Sequence, residues 1–266
     1  MTQQVRLGWP LAALLLLPAG AGGGFPAPAP VCPCSPRAIV LAVDGAGGFE
    51  ASSRALRHTV IEDKLPLEIQ SFHWTHGYCR ILSDQMHASH MRREGKRLAD
   101  LVLHCRDEAP ERPIYLVGHS AGCGVLLTAT ESLPPCSVER VVLLAPAVSV
   151  KHDLRPALVC SCRGMDVFYS QHDWVCLGVG MFLAGTTDRC WTLAAGKVGF
   201  RPVAHGPEEE MLFAKLRQYP WDASLSWTGH KGGHYGPYQP GFLRTFVLPL
   251  LNPCAEIVES EGGHHQ

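Results

Sequence analysis

One pentapeptide, Gly118-His119-Ser120-Ala121-Gly122, constrains this chain more than any other stretch, because of what flanks it. The run Pro113-Ile114-Tyr115-Leu116-Val117 before it is apolar and β-prone, and Val125-Leu126-Leu127-Thr128-Ala129 after it is helix-prone. A strand that turns into a helix around a serine between small residues is a nucleophile elbow. The glycines let the backbone turn sharply, and the turn lifts the serine hydroxyl clear of the sheet. A serine hydroxyl is a weak nucleophile at neutral pH, so this presentation is useful only beside a base. Those five letters recur by chance in Gly-rich chains, and this one has 27 glycines in 266 residues, so the argument rests on what surrounds them.

The surroundings read as an α/β chain. Apolar strand-like runs alternate with helical periods from Ala38 onward, the pattern of parallel strands joined by crossover helices. Residues 38–43 form a continuous apolar run, as expected of a strand buried on both faces, and end in Asp44-Gly45-Ala46-Gly47-Gly48. Further strands are predicted over residues 67–74, 138–144 and 165–170, with a short one over 223–227. Helices are predicted between residues 84 and 106, where Met91, Leu98, Leu101, Val102 and Cys105 recur at helical spacing, and over 174–185, 208–217 and 242–250.

Composition sets outer bounds. With 46% hydrophobic residues, the chain is long enough for one large core, predicted over residues 37–254. A net charge of −1, with no Lys/Arg face that would track phosphates, argues against a nucleic-acid partner. At the N-terminus Arg6, the apolar run of residues 11–17 and Ala19-Gly20-Ala21 read as an export signal over residues 1–24. An uncleaved segment that keeps the protein near a membrane is the alternative. Residues 25–36 read as a Pro/Gly/Ala-rich tether, and 255–266 as a disordered tail. Eleven cysteines agree with an oxidising destination, but their pairing is not deducible.

Acyl transfer at a serine needs a base, an acid that holds the base, and donors for the oxyanion. Ser120 is the candidate nucleophile. Asp173, just beyond the strand that Asp166 begins, is the candidate acid, with Asp188 and Asp222 as competitors. His234, in a loop with Gly233 and Gly236, is the candidate base, and His230 is its rival. The backbone N–H groups of Ala121 and Ala46 are the expected oxyanion donors. No cofactor is called for. His87 and His90 could share a helix face toward a metal, but no third ligand accompanies them; His73 and His76 read as ordinary polar residues, so no metal is expected. Trp74, Phe49, Tyr78 and Trp174 are candidates for lining an apolar pocket.

With these residues laid out, the chain over residues 38–251 resembles the α/β-hydrolase superfamily. The pentapeptide matches its elbow, and Asp44-Gly45-Ala46-Gly47-Gly48 looks like its oxyanion loop, except that many esterases and lipases begin that loop with His-Gly. The resemblance implies a mostly parallel central sheet with helices on both faces, a minimal lid, and a triad of Ser120, Asp173 and His234. It also implies hydrolysis of a carboxylic ester, lipid or thioester through an acyl-enzyme. A hydrolase-like scaffold that binds a ligand without turnover, and an acyltransferase using the same residues, are the alternatives.

Overall fold

The computed structural model describes residues 37–80, 84, 88–173, 186–187 and 193–251. Six parallel strands form one sheet: β1 (Ala38–Val43), β2 (Leu67–Ser71), β3 (Ile114–His119), β4 (Arg140–Leu144), β5 (Met165–Tyr169) and β6 (Leu216–Pro220). Their spatial order is β2-β1-β3-β4-β5-β6. The chain winds outward from β1 to β2, then returns to place β3 on the other side of β1. That reversal opens a crevice at the C-terminal ends of β1 and β3, where ligands bind in sheets of this kind.

Alternation along the strands feeds two cores. From β1, Ile39, Leu41 and Val43 face a layer that includes α2 (Ala88–Glu108), α3 (Gly122–Thr130) and α4 (Arg155–Cys160). Ala38, Val40 and Ala42 face the opposite layer, made of α1 (Ala51–Glu62) and the C-terminal helical turns of residues 240–251. All six β1 residues are buried, as its unbroken apolar sequence requires. Close packing of α2 on α3 depends on Gly95, where a Cβ would lie 2.6 Å from the Thr128 side chain.

Several expected elements differ. The β2 ladder stops at Ser71, short of Trp74. The predicted 208–217 helix is a shorter one, α6 (Pro207–Phe213), and the chain then becomes β6; among the described residues between β5 and α6 there is one short helix, α5 (Ala195–Val198). The predicted strand over 223–227 is instead a run of 3₁₀ turns, Ala223–Thr228. Its cause is local: the Asp222 carboxylate accepts the Ser224 N–H at 2.8 Å and starts a turn. The C-terminal helix is broken into short segments, Pro240–Phe242, Leu243–Val247 and Leu248–Leu251, the last containing Pro249. The helix expected over 174–185 lies outside the described residues.

At the sheet end away from the crevice, Asp166 is fully buried and accepts from Arg140 Nη1 (2.9 Å), Arg217 Nε (2.7 Å) and Tyr219 Oη (2.9 Å). This cluster ties β4, β5 and the edge strand β6 together. Asp166→Ala would remove from the Arg140 guanidinium, itself 4% exposed, a buried carboxylate that it meets at 2.9 Å. Urea unfolding should show a loss of about 3–5 kcal/mol. Tyr219→Phe, which removes one hydrogen bond of several, should cost about 1 kcal/mol.

Candidate active site

Ser120 sits at the turn from β3 to α3 with φ 53°, a left-handed backbone conformation that costs energy for a residue with a Cβ. Surrounding contacts impose it. The Ser120 N–H donates to Leu144 O at 3.0 Å, and Ser120 O accepts from Cys123 and Ala147 N–H groups. The small neighbours are sterically required: a Cβ on Gly122 would lie 2.3 Å from both Val43 O and Asp44 O, and one on Gly45 would lie 3.2 Å from Ser120 Cβ. The end of β1 is therefore pressed against the serine turn: only glycine fits at 122, and a side chain at 45 would be tight.

The structure brings the three residues singled out in the sequence into one hydrogen-bonded chain. Ser120 Oγ lies 2.9 Å from His234 Nε2, and His234 Nδ1 lies 2.6 Å from Asp173 Oδ2. A carboxylate only accepts, so Nδ1 carries the proton and Nε2 is left to accept from the serine hydroxyl. All three side chains are buried. Asp173 follows β5 and His234 follows β6 and its 3₁₀ turns, so three separate strand ends supply the chain. The competitors fall elsewhere. His230 is buried against Trp221 and Phe242 and accepts the Gly232 N–H on Nδ1 at 3.0 Å. Asp222 caps the 3₁₀ turn, Asp166 serves the far end of the sheet, and Asp188 lies outside the described residues.

The Gly-rich turn follows β1 and faces Ser120. Among the described residues no acceptor takes the N–H of Ala121 or of Ala46, the two donors expected from the sequence. Asp44, which stands where many esterases have His, turns its carboxylate away toward α1. It accepts from Ser52 N (2.8 Å), Ser52 Oγ (2.6 Å) and Ser53 N (3.2 Å), and so satisfies donors of the first helical turn. Its main-chain oxygen accepts the Trp74 indole N–H at 2.8 Å. Trp74 is accordingly a core residue at 2% exposure, and it also borders a small cavity with Asp44, Gly45 and Thr75. Phe49 and Tyr78 pack edge to face at 5.2 Å between centroids and are exposed. Trp174 and His87 lie outside the described residues.

Two further residues belong to this site. His119, the second letter of the motif, is buried, and its Nε2–H donates to His234 O at 3.2 Å, so the elbow itself holds the histidine loop. Its ring lies 4.8 Å from that of His234 and meets Tyr238 edge-on at 5.1 Å. Asp84 is fully buried and holds the Gly-rich turn, accepting the Gly47 N–H on Oδ2 at 2.8 Å. The strand-like pattern before Ser120 hid His119, and nothing local in the sequence marks Asp84.

Burial, then the neighbouring His234, lowers the His119 pKa from 6.5 to about 3, and burial lowers that of His230 to about 4. Well above pH 6.5 neither ring is charged in the folded or the unfolded chain, so they contribute nothing to the pH dependence there. Below it the unfolded chain takes up protons that the folded chain refuses, and stability falls until the folded pKa values are reached. Denaturant midpoints should therefore drop between about pH 6.5 and pH 4. The drop should be shallower in His119→Asn and in His230→Asn.

A family model described as serine aminopeptidase, S33, matches residues 75–175. A search of curated proteins gives no match. Among solved structures, the chain is similar to the catalytic core of an acetyl xylan esterase from Trichoderma reesei, at 13% identity and TM-score 0.44, covering 82% of this chain and 98% of that one. It is similar also to an esterase from Pyrococcus furiosus, at 12% identity and TM-score 0.44, covering 78% and 82%. A parallel sheet reversing at β1 and β3 with a serine elbow at that switch point gives this chain an α/β-hydrolase-like architecture, and over residues 75–175 it is similar to a hydrolase family.

Proposed function

We propose that this protein is a serine hydrolase that cleaves a carboxylic ester, lipid or thioester through an acyl-enzyme on Ser120. The observation that carries the reading is the buried Ser120–His234–Asp173 chain, with contacts of 2.9 and 2.6 Å, at the switch point of the sheet. In the first step His234 Nε2 accepts the proton of the Ser120 hydroxyl as Oγ attacks the substrate carbonyl carbon. The oxyanion that forms takes hydrogen bonds from the N–H groups of Ala121 and Ala46. Asp173 keeps the imidazole in the required tautomer and stabilises its cationic form. His234 then gives its proton to the leaving alcohol or thiol as the carbonyl re-forms. Water, deprotonated by the same nitrogen, attacks the acyl-enzyme; as the acid leaves, His234 returns that proton to Ser120 Oγ.

His119 enters as a positioning residue: its hydrogen bond to the His234 carbonyl fixes the loop that carries the base. The serine aminopeptidase match adds peptide amides as a second substrate class to test beside esters. The N-terminal pattern of Arg6 and the apolar residues 11–17 supports an exported enzyme.

Turnover of short- and long-chain p-nitrophenyl esters, thioesters and aminoacyl amides is the direct assay. Ser120→Ala and His234→Ala should each lower kcat by about 10⁴–10⁶-fold, and Asp173→Asn by about 10⁴-fold, with the fold retained by circular dichroism. Undiminished ester turnover in Ser120→Ala, or loss in His230→Ala with His234→Ala active, would reject this assignment.

A further inference from the structure

Beside the Gly-rich turn, and outside the serine chain, three groups that can bind a metal converge. His76 follows β2, Asp84 lies in the segment leading to α2, and His90 is in the first turn of α2. Each offers one donor atom, and these atoms lie within 4.8 Å of one another. The His76 and His90 rings are 3.8 Å apart between centroids. Zinc–nitrogen and zinc–oxygen bonds of about 2.0–2.2 Å place tetrahedral donors roughly 3.3 Å apart, so small side-chain shifts would close the group. We propose that His76, Asp84 and His90 hold one divalent cation of the zinc class, which clamps the Gly-rich turn through Asp84.

The charge balance favours a cation. Asp84 is fully buried, and among the described residues its one ion-pair partner is His76, at 2.8 Å from Oδ1. Its remaining contacts are backbone donors, Gly47 N on Oδ2 and His76 N on Oδ1. Buried carboxylates are paired with a cation or bind a metal, and an imidazole supplies full charge only when protonated. Two imidazoles and a carboxylate suit zinc, leaving a fourth position for water. His76, partly exposed, gives the cation a way in.

One group stands in the way. Arg93 Nη2 donates to His90 Nδ1 at 2.6 Å, which leaves Nε2–H to donate to Trp74 O at 2.5 Å. A ring so occupied offers no lone pair, so the cation requires Arg93 to leave. Its side chain is 71% exposed and can swing into solvent. The ring then has a suitable acceptor for one orientation: with Nδ1 on the cation, Nε2–H keeps Trp74 O. An acceptor on the second nitrogen is the usual companion of a metal-bound histidine.

The cation site stands on its own; its effect on the oxyanion turn rests on the role proposed for Ala46. The test is calorimetric titration of the full chain with zinc alone, with cobalt absorption to identify the donors. Wild type and Ser120→Ala should bind one equivalent equally, with no thiolate charge-transfer band, which keeps the site distinct from the eleven cysteines and from the catalytic reading. His76→Ala and His90→Ala should weaken binding by at least about tenfold. Arg93→Ala, at an exposed position that does not threaten folding, should tighten it. No saturable binding, a thiolate band, or unchanged affinity in Arg93→Ala and both histidine variants would overturn the proposal.

Discussion

Everything at this site depends on the approach of the β1 end to the serine turn. Val43 O and Asp44 O lie where a side chain on Gly122 would have to be, and Gly45 lies against Ser120 itself. Ser120 has left-handed backbone geometry at this contact, and the fold holds it there with hydrogen bonds to β4 and from the loop beyond it. Strain of this kind persists only where its surroundings over-determine it. Here they do, because β1 and β3 are adjacent central strands locked by a parallel ladder and buried on both faces.

The same contact organises the electrostatics. Pressing the Gly-rich turn onto the elbow sets Gly45 against Ser120, while Asp44 is spent on capping α1 and Asp84 on holding Gly47. On the other side, His119 ties the elbow to the His234 loop. The serine, the base and the turn are thus fixed to each other through short paths, with few movable links between them. Asp173 completes the chain from the end of β5, three strands away from β1.

The central strands were legible in the sequence because burial on both faces demands unbroken apolar runs, and residues 38–43 and 114–117 are such runs. The edge strand β6 was not. It pairs on one side only, is half-buried, and carries Arg217 and Gln218, whose side chains serve Asp166 and the main chain of Phe200 rather than a core. Polar residues with such duties erase the period that marks a strand. Residues 223–227 show the reverse error: they read as a short strand, but one carboxylate, Asp222, turned the chain. At the site, Ser120, Asp173 and His234 could be named because strand ends, turn glycines and chain order constrain them together. Trp74 could not be placed, since an indole reads alike in a pocket and in a core until its N–H is seen bonded to Asp44.

The central claim is that Ser120 is a nucleophile activated by His234. Peptide mapping by mass spectrometry after reaction with a fluorophosphonate tests it most directly. The account predicts one phosphonyl group per chain, carried on Ser120, with labelling slowed by several orders of magnitude in His234→Ala. An unmodified Ser120 in folded protein, or a label that maps to another residue and survives Ser120→Ala, would contradict it.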